Sequence, residues 1–233
     1  MTTVVGLDTA TDDVSVAVLR DSEVVAERLV AKPGAGHPRH SEVLLVELEA
    51  AVAEGGGWGA VDLLAAGVGP GSFTGLRVGV ATARAIAQSL GTGIVPVGTL
   101  DALARGIAEH ASGSTRPVLA VVDARRRQAF AALFDPGGGR LLEPFVASPQ
   151  ELCERVAAIP GGALAAGSGA LRFRRELEAA GAEVLADADS AHRVWARHAC
   201  RLAEGGVPSP PEAVQPIYLR PPDAELWLER DSP

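Results

Sequence analysis

Residues 4–19 read VVGLDTATDDVSVAVL, and residues 118–135 read VLAVVDARRRQAFAALFD. In each, an apolar run ends in an aspartate, Asp8 or Asp123, and a second apolar run leads away after a short polar stretch. Residues 14–19 alternate with a period of two, the pattern of a strand with two unlike faces. Asp and Thr fill the first gap, where their side chains bond their own backbone. A third run, EVVAERLV at 23–30, follows the turn Arg20-Asp21-Ser22, and PGGG at 136–139 turns the second copy into RLLEPFVA at 140–147. An antiparallel three-strand meander with an acid at its first turn therefore occurs twice.

The rest of the chain completes an α/β pattern around each meander. After the loop AKPGAGHPRH (31–40), Ser41 is the expected N-cap of a helix running through EVLLVELEAAVAE to the glycines at 55–57. VDLLAAGVG (61–69) reads as a buried strand, 74–90 as a second helix, IVPVG (94–98) as a strand and LDALARGIAEH as a third helix. Composition shifts at ASGSTRP (111–117). This predicts an N-terminal domain over 1–110, a C-terminal domain over 111–215 and a proline-rich tail over 216–233. In the second domain ALAAGSGA (163–170) reads as a strand into a glycine turn, LRFRRELEAAG as a helix and 190–204 as a last amphipathic helix.

Charge and cysteine content narrow the function. The net charge is -8, and the first hundred residues hold six Lys and Arg against eleven Asp and Glu. Direct nucleic-acid binding through a broad basic face is thus not expected. Cys153 and Cys200 form neither a metal spacing nor a disulfide framework. The start has no basic n-region, and no apolar run approaches the roughly 18 residues of a membrane span. A soluble cytoplasmic protein is the expectation.

GPGSFTGLRVG (69–79) is the densest glycine segment before a helix. It has neither the lysine of a Walker A loop nor the spacing of a dinucleotide loop, and Pro70 lacks an N–H for a phosphate. Gly75, Gly79, Ala83 and Ala87 fall four apart on one helical stripe, which lets another element pack closely. That element is either the protein's own core or a partner, and the residues alone leave the two open. His37 and His40, separated by a proline, lack a third ligand; Ser72 has no nucleophile-elbow context; nothing supports a peptidase. The paired Asp8 and Asp123 turns also fit an ATP-dependent kinase acting on a small metabolite.

The segments GVGPGSFTGLRVGVATARAIA (67–87), RHSEVLLVELEA (39–50), VVDARRRQAFAALFD (121–135) and PIYLRPPDAE (216–225) together resemble the TsaB (YeaZ) family, in the same order along the chain. The resemblance implies a duplicated actin-like (ASKHA/ribonuclease H-like) fold, with two domains each built on a mixed sheet flanked by helices. It implies a non-catalytic scaffold that activates a TsaD-type catalytic subunit and works with a TsaE-type ATPase. That complex moves a threonylcarbamoyl group to N6 of the adenosine next to the anticodon of tRNA, which this subunit reaches only through the complex. In isolation a homodimer through the same helix pair is implied. The partner surface would comprise His40, Ser41, Leu44, Leu45 and Leu48, with Phe73, Leu76, Arg77, Gly79, Val80, Ala83 and Arg84. No cofactor is expected to be required. Asp8, Thr9, Asp123, Gly167 and Gly169 mark half of a nucleotide site, either a relic or a weak ATP/ADP site with Mg. After Asp123, Ala124 and Arg125 stand where an ATPase of this fold places glycine and a hydroxyl residue.

Overall fold

The computed structural model describes residues 1–31 and 40–220; most of the loop read at 31–40 and of the tail read at 216–233 lies outside the described residues. The first meander forms β1 (Thr3–Asp8), β2 (Val14–Arg20) and β3 (Glu23–Val30), joined by β4 (Leu63–Gly69) and β5 (Ile94–Gly98). The second forms β6 (Val118–Asp123), β7 (Ala129–Phe134) and β8 (Arg140–Ala147), joined by β9 (Leu164–Ala166) and β10 (Glu183–Val184). Strand orders are β3-β2-β1-β4-β5 and β10-β9-β6-β7-β8. In both sheets the meander is antiparallel and its first strand pairs in parallel with the strand that follows, β1 with β4 and β6 with β9. The two sheets thus share one topology, the duplicated actin-like plan.

Helices cover every face. The helices α1 (His40–Glu54) and α2 (Phe73–Leu90) bury Leu44, Leu48, Val80, Ala83 and Ala87 on the Val5, Leu7, Val16 and Val18 face of the first sheet. Each fully buried Leu there contributes about 1.5–3 kcal/mol. The opposite face, bearing Val4, Ala17 and Leu19, meets α3 (Thr99–His110) and α7 (Ala196–Glu204), and α3 also covers the Ala120 and Val122 face of the second sheet. The outer face of that sheet carries α4 (Pro149–Ala157), α5 (Ser168–Arg172) and α6 (Arg174–Ala179).

Four expectations change. The division at residue 111 assigns the last helix to the second domain, but α7 lies on β1, β2 and β4. It packs flush there because a Cβ on Gly6 would fall on Cys200 Sγ and Ala196 O, and Ser15 Oγ accepts the Ala196 N–H at 2.8 Å. The same helix is shorter than 190–204: Ser190–His192 is a 3₁₀ turn, and the chain runs extended through Arg193 and Trp195. The helix read at 171–181 is broken at Phe173 into α5 and α6. The first helix begins at His40, so Ser41 sits inside it.

Candidate functional site

Two surfaces hold the residues singled out above: the turn Asp8–Asp13 with the cleft beside it, and the helix pair α1–α2.

Asp8 closes β1 and points inward. It is 2% exposed, Oδ1 accepts the Ala10 N–H at 2.8 Å, and Oδ2 accepts the Thr99 hydroxyl at 3.0 Å. Burial pushes its carboxyl up to about 6, against the pull of those two hydrogen bonds. Gly67 must lack a side chain because its Cβ would overlap the Asp8 carboxylate. Thr9 is fully buried and donates its hydroxyl to Gly75 O at 2.7 Å. Both residues are spent on holding the turn in place.

The glycine segment clamps this turn from the other side. Ser72 N–H donates to Ala10 O at 2.7 Å, and Ser72 Oγ caps α2 by accepting Gly75 N–H at 3.3 Å. Cβ atoms on Gly71, Gly75 and Gly79 would fall on Ala10 O, Thr9 O and Thr9 Oγ1 respectively. The small-residue stripe therefore seats α2 on its own hairpin turn. This corrects the expectation that Gly79 thins the helix for a partner: the close approach is intramolecular. His40 joins the same knot, buried, with Nε2 2.9 Å from Thr11 O.

The cleft between the two meander turns has a volume of about 1410 Å³. Of the five expected nucleotide residues only Asp123 lines it. Asp123 Oδ2 is held by Arg172 at 2.8 Å. Gly167 and Gly169 press instead against β6, where Cβ atoms would meet Val121 O and the Val122 backbone. Across the cleft, Arg125 Nη2 donates to both carboxylate oxygens of Asp12 at 2.6 Å, and Arg193 pairs with Asp13 at 2.7 Å. These residues do not fit a magnesium-bound nucleotide. The first acid is buried and held by protein donors, and an arginine–aspartate bridge spans the gap between the turns. Among the described residues no group of three or more His, Cys, Asp and Glu is placed to hold a metal ion.

The helix pair divides the expected partner residues in two. Leu44, Leu48, Leu76, Gly79, Val80 and Ala83 are buried in the chain's own core, as is His40. Their helical phase sets them toward the sheet, so they are scaffold for the outer face. Ser41, Leu45 and Arg77 are exposed, with Phe73 and Arg84 half-buried. Residues not singled out complete that face: Val46 on α1 is 64% exposed beside Leu45 at 57%, and Ala81 and Ala85 are exposed on α2. Their signal was present, since Val46 breaks the amphipathic pattern of α1. At one end Arg77 lies 3.9 Å over the Phe73 ring and donates to Tyr218 Oη at 3.3 Å, while Phe73 and Tyr218 stack at 5.1 Å.

Comparison with known proteins fits this architecture. Residues 24–177 match the family described as TsaD: tRNA N6-adenosine threonylcarbamoyltransferase. The Escherichia coli tRNA threonylcarbamoyladenosine biosynthesis protein TsaB is 30% identical over 93% of this chain and 94% of its own. The chain belongs to the TsaB family. Two Pseudomonas aeruginosa structures, one described as YeaZ and one as an uncharacterized protein with similarity to peptidase YeaZ, superpose with TM-scores of 0.73 and 0.76. They are 26% and 27% identical and cover 94% of this chain and 100% of theirs. An Arthrobacter polyphosphate/ATP-glucomannokinase, 12% identical with a TM-score of 0.50 over 88% of this chain and 99% of its own, shows the shared actin-like fold alone. The chain spans 40% of an uncharacterized Mycobacterium leprae relative and 61% of its Mycobacterium tuberculosis counterpart. As a TsaB-family member, the chain groups with proteins of tRNA threonylcarbamoyladenosine biosynthesis. Among the described residues no helix is long and apolar enough to cross a membrane.

Proposed function

We propose that this chain is the non-catalytic scaffold subunit of a tRNA threonylcarbamoyladenosine-forming complex. It docks a TsaD-type catalytic subunit through the outer face of α1 and α2, works alongside a TsaE-type ATPase, and self-associates through the same face when alone in the cytoplasm. The carrying observation is the pair of plugged turns: Asp8 buried beneath Gly67 and Thr99, and Asp12 bridged to Arg125 where phosphates would lie. A chain whose acidic turns are taken up by its own donors supplies shape to a partner rather than chemistry to a substrate. Leu45, Val46, Ala81 and Ala85 on the exposed sides of α1 and α2 offer an apolar surface for docking. TsaB relatives named for the same biosynthesis support the pathway, and the TsaD-family match supports a partner of related fold.

Reconstitution tests this reading. The chain mixed with a TsaD-type subunit should form a complex and raise threonylcarbamoyl transfer, and the isolated chain should neither turn over ATP nor transfer the group. Turnover by the isolated chain would overturn the proposal.

A further inference from the structure

The outer sides of α1 and α2 carry opposite charge. α1 holds four glutamates and no lysine or arginine, whereas α2 holds Arg77 and Arg84 and no acid. Glu47 and Glu54 pair with Arg28 on β3. Glu42 and Glu49 are exposed on the outer side of α1, and Arg77 and Arg84 have the same seven-residue spacing on α2. Seven residues make about 10.5 Å of rise and nearly two turns, so each pair lies along one side of its helix.

The apolar residues between these charges are matched in size. Leu45 and Val46 project between Glu42 and Glu49, while α2 offers only Ala81 and Ala85 between and beside its arginines. Arg77 is fixed over the Phe73 ring by its bond to Tyr218 Oη. Arg84 is half-buried, and among the described residues it makes no hydrogen bond, ion pair or ring contact. A cation partly withdrawn from water on an apolar face calls for a counter-charge.

Topology sets how a second copy can meet this surface. β3, β4 and β5 all run in the direction of β1, and α1 links β3 to β4 as α2 links β4 to β5. Both helices therefore run back against the strands and parallel to each other. Both also start at the first turn, where His40 meets Thr11 O and Ser72 N–H donates to Ala10 O. A two-fold axis along the helices lays α1 of one copy on α2 of the other, running the same way with their starts level. Glu42 then faces Arg77 and Glu49 faces Arg84, each twice, and Leu45 and Val46 meet Ala81 and Ala85. An axis across the helices would instead set α2 on α2 and bring arginines together.

We propose that the chain forms a two-fold dimer in which α1 of each copy lies on α2 of the other, held in register by Glu42–Arg77 and Glu49–Arg84 pairs. The inference rests on the self-association reading above and supplies its register. A two-fold contact needs a self-complementary patch. Acid on one helix and base at the same spacing on the next make one, and such charges set register and partner choice more than affinity.

The test is sedimentation of the whole chain at low and high salt, with charges exchanged and folding checked by thermal melts. The wild type should dimerise, more weakly as salt rises. Arg84→Glu and Glu49→Arg should each raise the dimer Kd by roughly tenfold or more, because like charges then meet twice per dimer. An equimolar mixture of the two variants should restore the wild-type Kd, since each supplies the charge that the other lacks. Single variants that dimerise as tightly as wild type, or a mixture that stays monomeric, would overturn the pairing. If Val46→Asp/Ala81→Glu abolishes the dimer while the charge variants do not, the face self-associates in another register and the pairing alone falls. A wild-type chain that stays monomeric overturns self-association itself. If that monomer then binds a TsaD-type subunit and Arg84→Glu prevents it, the counter-charge belongs to that partner.

Discussion

Arg125 reaches across the cleft so that one guanidinium nitrogen lies 2.6 Å from both carboxylate oxygens of Asp12. It ties the second meander's turn to the first, in the space that separates two lobes of an actin-like fold. The pair is substantially exposed, at 56% and 29% of the side chains. Its geometry therefore says more about what the cleft excludes than about stability. Arg125→Ala should lower stability by less than about 1 kcal/mol, and the loss should shrink as salt is raised. Urea midpoints at low and high salt read this; a salt-independent loss of several kcal/mol would show the bridge to be a structural keystone.

Two buried groups oppose each other in acid. Asp8 has its folded pKa raised to about 6 from 3.8, so protonation on acidification from pH 6 toward 4 adds stability. His198 is 1% exposed; burial foremost, then the charge of Arg197, hold its imidazole down to about 4 from 6.5 against the pull of Glu109. Acidification from pH 6.5 toward 4 therefore removes stability through His198. Each group is worth about 3 kcal/mol at full extent, so their two contributions largely cancel there. Asp8→Asn should become the more acid-sensitive protein and His198→Gln the more acid-resistant. Chemical denaturation at pH 4.5 and 7 checks both, and parallel profiles for all three proteins would refute the assignment. An unperturbed or higher stability of Asp8→Asn at pH 7 would further argue that this carboxylate is not kept for a metal.

Gly75→Ala and Gly79→Ala should both destabilise, although each replaces glycine within a helix. Alanine improves helix propensity by about 1 kcal/mol. The new methyl at Gly75 falls on the Thr9 backbone carbonyl, and at Gly79 on the Thr9 hydroxyl. Overpacking there costs about 1–3 kcal/mol or more, with Gly75 the worse because backbone cannot rotate away. Thermal melts decide it. Variants as stable as wild type would return the stripe to the outer surface.

The fold was legible where one residue's period carries the information. The alternation in 14–19 and the repeated acid-ended meander led to two sheets of identical order. The helix read at 74–90 is α2 (Phe73–Leu90), which Ser72 caps. What sequence spacing left open was the neighbour. Gly75 and Gly79 announce a close approach, but Thr9 lies 66 and 70 positions earlier and nothing local names it. Likewise the family resemblance groups Leu44 and Leu48 with Leu45 as one partner face, whereas a turn of 100° per residue sends the first two into the core and leaves Leu45 and Val46 outside. The helix α4 carries a start signal in Ser148, Pro149 and Glu151, a capping box with proline at its first position. Gly6, not a charge or a linker, explains why α7 crosses back to the first sheet.

The central claim is that the outer face of α1 and α2 docks the catalytic partner, and sedimentation of the mixture with a TsaD-type subunit tests it most directly. Val46→Asp/Ala81→Glu changes only exposed positions, so the variant should keep its thermal stability within about 0.5 kcal/mol. The wild-type chain should sediment as a complex with the partner, and the variant as separate chains. Undiminished complex formation by the folded variant would contradict the account.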